Sequence, residues 1–364
     1  ISYFKKSFSK KSLKLTRKMI EIITGKKEWN SVLGKIEQYD YYHTYDYHHI
    51  TKEIGEEPIL VHYSEDKRTI ALPLLIRKIK DTPYKDATSV YGYAGPLSQN
   101  IDAEYDNSQF KQQLHAYLRE NNIICVFSRL HPFLQSQQFV LNNIGEVSPM
   151  GKIVNIDLTT DPDIQRQAYQ KRLKTYINKA RKEYYVAKAE TESEILKFIE
   201  LYYDNMRRVN ANPIYFFKRD YFFDLLESED FKAEVLLAKV NDNHEIIGAA
   251  MFIKKNNIVQ YHLSGAKEEY LHLNPIKLLI DEARITATKE NYTFLNLGGG
   301  IGGSEDSLFQ FKAGFSKDYR VFSLWKFIEN NEVYENLVEE RLKNVPKNLQ
   351  NNIGSYFPRY RCTV

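Results

Sequence analysis

The chain has 364 residues, of which 43% are hydrophobic and 13% aromatic, and its formal net charge is +4. This length and composition predict about two globular domains and exclude a mainly disordered protein. No apolar run reaches the roughly 18–20 residues that a membrane-spanning helix needs. The only cysteines are Cys125 and Cys362, so no disulfide framework is expected and a cytoplasmic protein is predicted.

Residues 1–18 form a basic N-terminal extension with seven lysines and arginines and no acidic residue. No apolar segment follows them, which argues against a secretory signal. One interpretation is a solvated tail. The alternative is an arm that binds phosphates or the surface of a membrane.

Residues 19–155 are predicted to form a first α/β domain. Aromatic-rich, loosely helical sequence is followed by apolar runs typical of strands, then by helical spacing and another strand-like run. The predicted strands are 59–63, 69–79, 88–93 and 123–129, and the predicted helix is 110–121.

Residues 156–318 are predicted to form a second domain of the same type. Asp161 and Pro162 signal the start of a basic helix that continues to about Glu183. Further helices are predicted at 192–208, 218–227 and from Asn274 onward, and strands at 233–240, 245–254, 258–264 and 293–297. Residues 319–364 add a strand and a helix, which we expect to pack back on the first domain. The fold class is thus α/β, with two mixed, mostly antiparallel sheets flanked by helices.

The most informative segment is 295–315, with the sequence LNLGGGIGGSEDSLFQFKAGF. Glycines directly after a strand allow the backbone to approach another group closely. One interpretation is a cradle of amide groups for phosphate, although the spacing fits neither a Walker loop nor a dinucleotide fingerprint. The alternative is a tight bend between a strand and a loop.

Lys312 lies among phenylalanines whose alternation predicts one buried face. A cation held beside an apolar wall can neutralise a phosphate or the oxyanion of an acyl-transfer intermediate. The alternative is a lysine whose amino group reaches water.

These residues resemble the C-terminal signature of the FemAB family, in which Leu-Gly-Gly and a short acidic stretch precede Asp-Ser-Leu-x-x-Phe-Lys-x-x-Phe. The segment GAAMFIKKNNIVQYHLSG at 248–265 resembles the central strands of that family, and Tyr91-Gly-Tyr-Ala-Gly-Pro-Leu97 resembles its Tyr-Gly-Gly-Pro segment. The family includes the peptidoglycan-bridge aminoacyltransferases and related acetyltransferases. The resemblance implies tandem GNAT-like domains and transfer of an aminoacyl group, from tRNA, or of an acyl group, from CoA, to an amine.

The resemblance also places Lys312 at the reaction cleft as a catalytic residue. Asp306 and Glu305 are candidate proton acceptors because they lie close to it in sequence, and the alternative is a pair that caps the loop. Predicted substrate-binding residues are Phe311, Gly299, Gly300, Tyr91, Tyr93, Arg207 and Tyr215.

The donor is predicted to be aminoacyl-tRNA. CoA-dependent GNAT domains place a glycine-rich loop before the helix at Asn274, but residues 266–275 contain no glycine. The basic helix 166–182 also favours RNA, because lysines and arginines dominate the affinity for phosphates. The alternative interpretation of that helix is a solubilising face.

The predicted acceptor is a cell-envelope precursor, and no bound cofactor is expected. One alternative is a CoA-dependent N-acyltransferase that acts on an amino sugar of a surface polysaccharide. Another is a non-catalytic scaffold that binds nucleic acid or a surface. His43, His48 and His49 lack neighbours that would complete a zinc site, so no metal is predicted.

Overall fold

The computed structural model describes residues 20–350 and 356–362. The basic extension 1–18 therefore lies outside the described residues. The strands are β1 Ile20–Ile23, β2 Glu56–Glu65, β3 Arg68–Lys78, β4 Lys85–Thr88, β5 Leu97–Gln99, β6 Ile123–Arg129, β7 Glu146–Asp157, β8 Tyr184–Lys188, β9 Lys232–Val240, β10 Ile246–Lys255, β11 Ile258–Ala266, β12 Phe294–Gly298 and β13 Asp318–Ile328. The helices are α1 Lys26–Leu33, α2 Tyr45–Thr51, α3 Ser108–Glu120, α4 Ser136–Val140, α5 Pro162–Gln167, α6 Lys171–Glu183, α7 Glu192–Arg208, α8 Arg219–Glu227, α9 Pro275–Lys289, α10 Ser307–Lys312 and α11 Asn331–Lys343.

The strands join into one mixed sheet that passes through both halves of the chain. Their spatial order is β1-β2-β3-β4-β6-β13-β7-β12-β11-β10-β9-β8, and β5 pairs with β3 off this path. The strands of the first half lie at one end and those of the second half at the other. The predicted α/β class is confirmed, and the central pair β13 and β7 connects the two halves.

Strand β7 was not predicted. Its first part is mostly exposed or half-buried, and it contains Pro149 and Gly151, residue types that are unfavourable inside strands. It nevertheless pairs with β13 on one side and with β12 on the other. The predicted domain boundary after residue 155 falls inside this strand, and the division into domains stays a prediction.

Two other predictions were wrong in detail. The strand predicted at 88–93 is β4, which ends at Thr88; the chain then bends, and Gly92 has a φ of 123°. The long basic helix predicted from Pro162 is two helices, α5 and α6, separated at residues 168–170. In both cases the residue types fitted the predicted element, but the chain bends within the predicted range.

The second half packs helices on both faces of its sheet. Helices α6 and α9 cover one face with an apolar core that includes Leu173, Ile177 and Leu279. Helices α7 and α8 cover the other face, together with tyrosines from the first half. This second core places first-half side chains directly against the sheet of the second half.

A buried carboxylate holds helices α5, α6 and α9 together. Asp281, which is fully buried, accepts hydrogen bonds from Arg181 at 2.8 Å, from Arg284 at 3.0 Å and from Arg166 at 3.3 Å. The Tyr169 hydroxyl donates to it at 2.9 Å. Three guanidinium groups thus compensate the charge of one carboxylate.

A second buried carboxylate links the two halves. The side chain of Asp40 accepts a hydrogen bond from Gln260 at 2.5 Å, and His131 Nε2 lies 3.0 Å from the same oxygen. All three side chains are buried. Because Gln260 lies on β11 and Asp40 lies in the first half, this contact fixes one half against the other.

The C-terminal segment contacts the first half. Strand β13 pairs with β6, and α11 packs beside β6 around Tyr334 and Cys125. The Arg361 guanidinium donates to the buried carboxylate of Asp86. Among the described residues, no helix has the length and apolar character needed to cross a membrane.

Candidate acyl-transfer site

The predicted signature segment forms a tight connection between β12 and α10. Strand β12 ends at Gly298, which has a φ of 75°, a backbone conformation that favours glycine. A Cβ atom on Gly299 would lie 2.5 Å from the carbonyl oxygen of Lys152. The glycines are therefore required by close packing of the backbone, as the alternative of a tight bend predicted.

Residues 307–312 are helical, so the interpretation of alternating phenylalanines was wrong. Asp306 is the N-cap of α10 and accepts a hydrogen bond from the backbone N–H of Phe309. Phe309 is buried in the core of the second half, and Phe311 is half-buried with its ring 5.9 Å from that of Phe315. The signal for the helix was the capping aspartate, which outweighed the spacing of the phenylalanines.

Lys312 is a buried cation at the end of α10. Its residue is 8% exposed, and Nζ donates a hydrogen bond to the carbonyl oxygen of Gly299 at 2.7 Å. Among the described residues, no carboxylate lies within ion-pair distance of it. Burial lowers the pKa of Lys312 to about 8, although the charge of Asp306 partly opposes this shift.

The two acidic candidates, Asp306 and Glu305, are occupied by contacts other than Lys312. Asp306 accepts hydrogen bonds from the backbone N–H groups of Phe309 at 2.9 Å and Ile301 at 3.0 Å. The hydrogen bond from Phe309 has the largest effect on the Asp306 carboxyl group, and both bonds lower its pKa. Glu305 is exposed and forms an ion pair with Lys152 at 2.8 Å. These contacts are typical of a loop cap and a surface pair, and a catalytic role of either residue stays a prediction.

Of the three predicted substrate-binding tyrosines, Tyr215 lies far in sequence from Tyr91 and Tyr93, and an aromatic contact brings it to Tyr91. The rings of Tyr91 and Tyr215 lie 6.2 Å apart in an edge-to-face arrangement. Tyr93 packs in the same manner on Phe322 of β13, at 5.1 Å. Burial raises the pKa of Tyr93 to about 12, although the charge of Arg129 opposes the shift, so its hydroxyl group stays protonated. These rings form an aromatic surface where the two halves meet.

Arg129 belongs to this surface and was not predicted as a site residue. Its guanidinium lies over the ring of Tyr91 at 5.9 Å. The side chain is half-buried and has no hydrogen bond or ion pair with any described residue. A charged residue at the end of an apolar strand was the available signal.

The structure does not bring Arg207 to these rings. Its guanidinium lies on the exposed side of α7 and pairs with Asp204 at 2.7 Å. The same helix does support Tyr215, because the Tyr202 hydroxyl donates to the Tyr215 carbonyl at 2.6 Å. A role for Arg207 in substrate binding stays a prediction.

His262 marks a second feature that sequence patterns did not reveal. It is the extra residue of a β-bulge in β11, opposite the Met251–Phe252 step of β10. Its ring nitrogens lie 2.8 Å from the Tyr221 hydroxyl and 3.2 Å from the Tyr41 hydroxyl. Burial lowers the pKa of His262 to about 3, which keeps the imidazole neutral.

Pairing between β11 and β12 ends next to this bulge. The two parallel strands pair only from Ile258 to Gln260 on β11. Beyond that point β11 continues to Ala266, whereas β12 turns away at Gly298. The parallel strands thus part between the bulge at His262 and the turn at Gly298, and the next residue, Gly299, accepts the hydrogen bond from Lys312.

Comparisons with known proteins agree with this geometry. Residues 239–319 match the model of the FemAB family. This range contains β10, β11, the bulge, α9, β12 and α10, and therefore Lys312. No curated protein sequence matches the chain.

Solved structures extend the likeness to most of the chain at the level of the fold. The crystal structure of FemX aligns with a TM-score of 0.65 and 14% identity, over 86% of this chain and 99% of FemX. A conserved protein of unknown function from Bacteroides thetaiotaomicron aligns with a TM-score of 0.54 and 10% identity, over 85% of this chain and 100% of its own.

A third structure is the C-terminal domain of a putative lysylphosphatidylglycerol synthetase from Agrobacterium fabrum. Its TM-score is 0.51 at 13% identity, over 84% of this chain and 92% of that domain. The predicted resemblance and fold class are thereby confirmed. Residues 239–319 are thus similar to the FemAB family, and the solved structures share the fold of most of the chain.

Proposed function

We propose that this protein transfers an aminoacyl group from aminoacyl-tRNA to an amine of a cell-envelope precursor. The observation that carries the proposal is Lys312, a buried ammonium group whose charge no carboxylate of the described residues pairs with. A positive charge in a dry site is most valuable where negative charge develops during the reaction. The FemAB match covers the segment that holds this lysine.

The reaction requires stabilisation of a tetrahedral intermediate. The neutral acceptor amine attacks the ester carbonyl of the donor, and a C–N bond forms while negative charge collects on the carbonyl oxygen. The Lys312 ammonium donates a hydrogen bond to that oxyanion. The C–O bond to the ribose then breaks, and the departing oxygen takes the proton that the amine loses.

The loop before α9 supports a tRNA donor over CoA. Residues Glu268–Leu273 form a 3₁₀-helix with Glu268 and Glu269 in its first turn. Asn274 then adopts a φ of 56° before α9 begins. A pyrophosphate placed here would meet two carboxylates and a loop without glycine, and like charges at close range repel. An aminoacyl-tRNA donor would also place the reaction in the cytoplasm.

The aromatic surface at Arg129 supports an anionic acceptor. A half-buried guanidinium without a carboxylate partner favours a phosphate or carboxylate ligand. The rings of Tyr91 and Tyr215 beside it offer flat apolar area and hydroxyl donors. A peptidoglycan precursor, which carries phosphates and a free amine, matches both features.

The test is a transfer assay with purified protein. Charged tRNA carrying a labelled amino acid is mixed with a peptidoglycan precursor, and labelled product is separated from free amino acid. The proposal expects transfer that depends on the charged tRNA and is strongly reduced by Lys312→Met. Robust transfer from acyl-CoA to an amino sugar, with none from charged tRNA, would instead establish the CoA-dependent alternative. Equal behaviour of the parent and Lys312→Met in every assay would favour a non-catalytic scaffold.

A further inference from the structure

We infer that the exposed face of α6 docks the RNA part of the donor. The face is defined by Lys171, Arg172, Lys179 and Lys182 and is called the α6 basic face below. The inference rests on the proposed aminoacyl-tRNA donor and adds the surface that would bind it. It is carried by the charge pattern, the contacts and the position of this helix.

The four cations project from one side of α6. At 3.6 residues per turn they fall within an arc of about 100°, opposite the buried residues Leu173, Ile177 and Ala180, and they extend over about 16 Å of helix. No acidic residue occurs in α6 before Glu183. A solubilising helix face usually mixes both signs of charge, whereas this one presents a single sign.

The cations of this face have no carboxylate partners in the part of the chain that the structure describes. Among the described residues, none of the four forms an ion pair, whereas Arg181 on the flank of the same helix is held by Asp281 and Glu282. Helix α6 therefore contains two kinds of cation. The charge of Arg181, which packs against α9, is compensated by carboxylates. The cations that face solvent are available to a polyanion.

Neighbouring residues extend the surface. Lys277 of α9 places its Nζ 4.2 Å from the ring centre of Tyr176, and the Arg172 guanidinium lies 5.3 Å from the same centre. Burial, and then the charge of Arg172, lower the pKa of Lys277, as expected where positive charges are not neutralised. Cations interleaved with an aromatic ring are typical of surfaces that bind nucleic acids.

The face begins next to the candidate reaction site. The backbone N–H of Gln170, which precedes α6, donates to the carbonyl oxygen of Gly314 at 2.9 Å. Gly314 follows Lys312 by two residues, and α10 ends at Lys312. An RNA helix bound along α6 would therefore have one end close to the lysine that acts on its aminoacyl ester.

A membrane surface is the competing partner, and the composition of the face argues against it. Helices that bind membranes insert large apolar side chains next to their cations. Helix α6 has no exposed large hydrophobic residue. The phosphate backbone of RNA requires only the cations, so RNA is the partner that fits.

The experiment measures binding of a short RNA hairpin with a single-stranded 3′ end, titrated at several salt concentrations. The variant carries Lys171→Glu, Lys179→Glu and Lys182→Glu. We expect its Kd to rise on the order of tenfold or more. The slope of log Kd against log salt should fall by roughly 0.9 for each phosphate that the variant no longer neutralises.

A matched control carries Lys35→Glu, Lys67→Glu and Lys80→Glu. These lysines are exposed, lie in the first half and form no ion pair with described residues, and the control undergoes the same change in net charge. It should bind the hairpin within about twofold of the parent, because its substitutions lie outside the α6 basic face. A larger loss in the α6 variant then cannot come from the change in net charge alone. Thermal melting of both variants verifies that they are folded.

Three results would overturn the inference. The α6 variant and the control could weaken binding equally, or neither could weaken it, or the α6 variant could lose binding only to vesicles of phosphatidylglycerol. Failure of the proposed function can be distinguished from failure of the α6 basic face as an RNA-binding surface. If the parent binds the hairpin through α6 but transfers no amino acid from charged tRNA, the function is wrong and the surface stands. If transfer occurs at the same rate in the α6 variant, the surface is wrong and the function stands.

Discussion

Two buried charges in the second half of the chain are held in opposite ways. Asp281 is fully buried and receives hydrogen bonds from three arginines and a tyrosine. Burial tends to raise the pKa of Asp281, but the hydrogen bond from Arg181 and the charge of Arg284 outweigh it, and the pKa falls. The ionised form is therefore the stable form of this carboxylate.

Lys312 is nearly as buried but has one carbonyl oxygen as its partner. Burial lowers its pKa to about 8, so the ionised form is disfavoured relative to water. A compensated buried charge serves the architecture, whereas an uncompensated one strains the fold and is a candidate for function. We therefore expect Asp281 to serve stability and Lys312 to serve the proposed chemistry, and each expectation can be tested by itself.

The largest expected effect is on stability, from Asp281→Asn. The change removes the countercharge of Arg166 and Arg284, and Arg284, at 1% exposure, cannot regain water. Loss of one partner of a buried charge cluster costs about 3–5 kcal/mol, which urea unfolding would measure. Glu282→Gln is the control, since its ion pair with Arg181 is partly exposed and should contribute less than about 1 kcal/mol. Equal losses of unfolding free energy in the two variants would contradict the expectation that Asp281 stabilises the fold more than the partly exposed Glu282 does.

Next is Lys312→Met, which keeps the length of the side chain and removes the charge. Loss of one donor to an oxyanion lowers the rate by about 10²–10³-fold, measured as amino-acid transfer from charged tRNA. The urea midpoint should stay equal or rise, because a disfavoured buried charge has been removed. Lys317→Met is the control, since Lys317 is a nearby exposed lysine. This variant should keep the activity of the parent. A folded Lys312→Met protein with normal activity would contradict the assignment.

The pH dependence of the rate gives a smaller effect with a definite sign. If the ammonium form of Lys312 acts, activity must fall as the pH rises through about 8, where the group loses its proton. The rate should drop about tenfold for each further pH unit until another path dominates. The measurement is a rate profile between pH 6 and pH 10 at fixed ionic strength. A rate that rises through this range in the parent but not in Lys312→Met, whose profile reports the titration of the acceptor amine alone, would show that neutral Lys312 acts as a base.

Local signals in the sequence predicted much of the fold around these charges. Helix α7 coincides with the predicted range 192–208, and in the structure Thr191 and Glu194 form a capping box at its start, before a regular apolar pattern. Strands β9, β10 and β11 were recognised from alternation and from the turns between them. The FemAB signature identified the segment of Lys312.

Features that depend on contacts across the molecule could not be predicted. Strand β7 is recognisable only through its partners β12 and β13, since its own residues are a poor strand pattern. The arginines around Asp281 come from three helices, and nothing in their spacing indicates a shared carboxylate. The Arg129 side chain has no ion-pair partner among the described residues, and this likewise depends on residues that are distant from it in sequence.

The smallest expected effect is from Asp306→Asn, which tests whether Asp306 acts as a helix cap or as a general base. Asparagine caps helices as well as aspartate but cannot accept the proton of an attacking amine. Both carboxylate oxygens of Asp306 already accept backbone hydrogen bonds, and those bonds lower the pKa of the carboxyl group, which makes it a weak base. We therefore expect the transfer rate to fall far less than the 10²–10⁴-fold that loss of a general base causes. Asp306→Ala, which removes the cap as well, should lower stability by about 1 kcal/mol. A rate lost in both variants, with stability lost only in Asp306→Ala, would make Asp306 the proton acceptor, and Lys312 would then share the chemistry of the site with it.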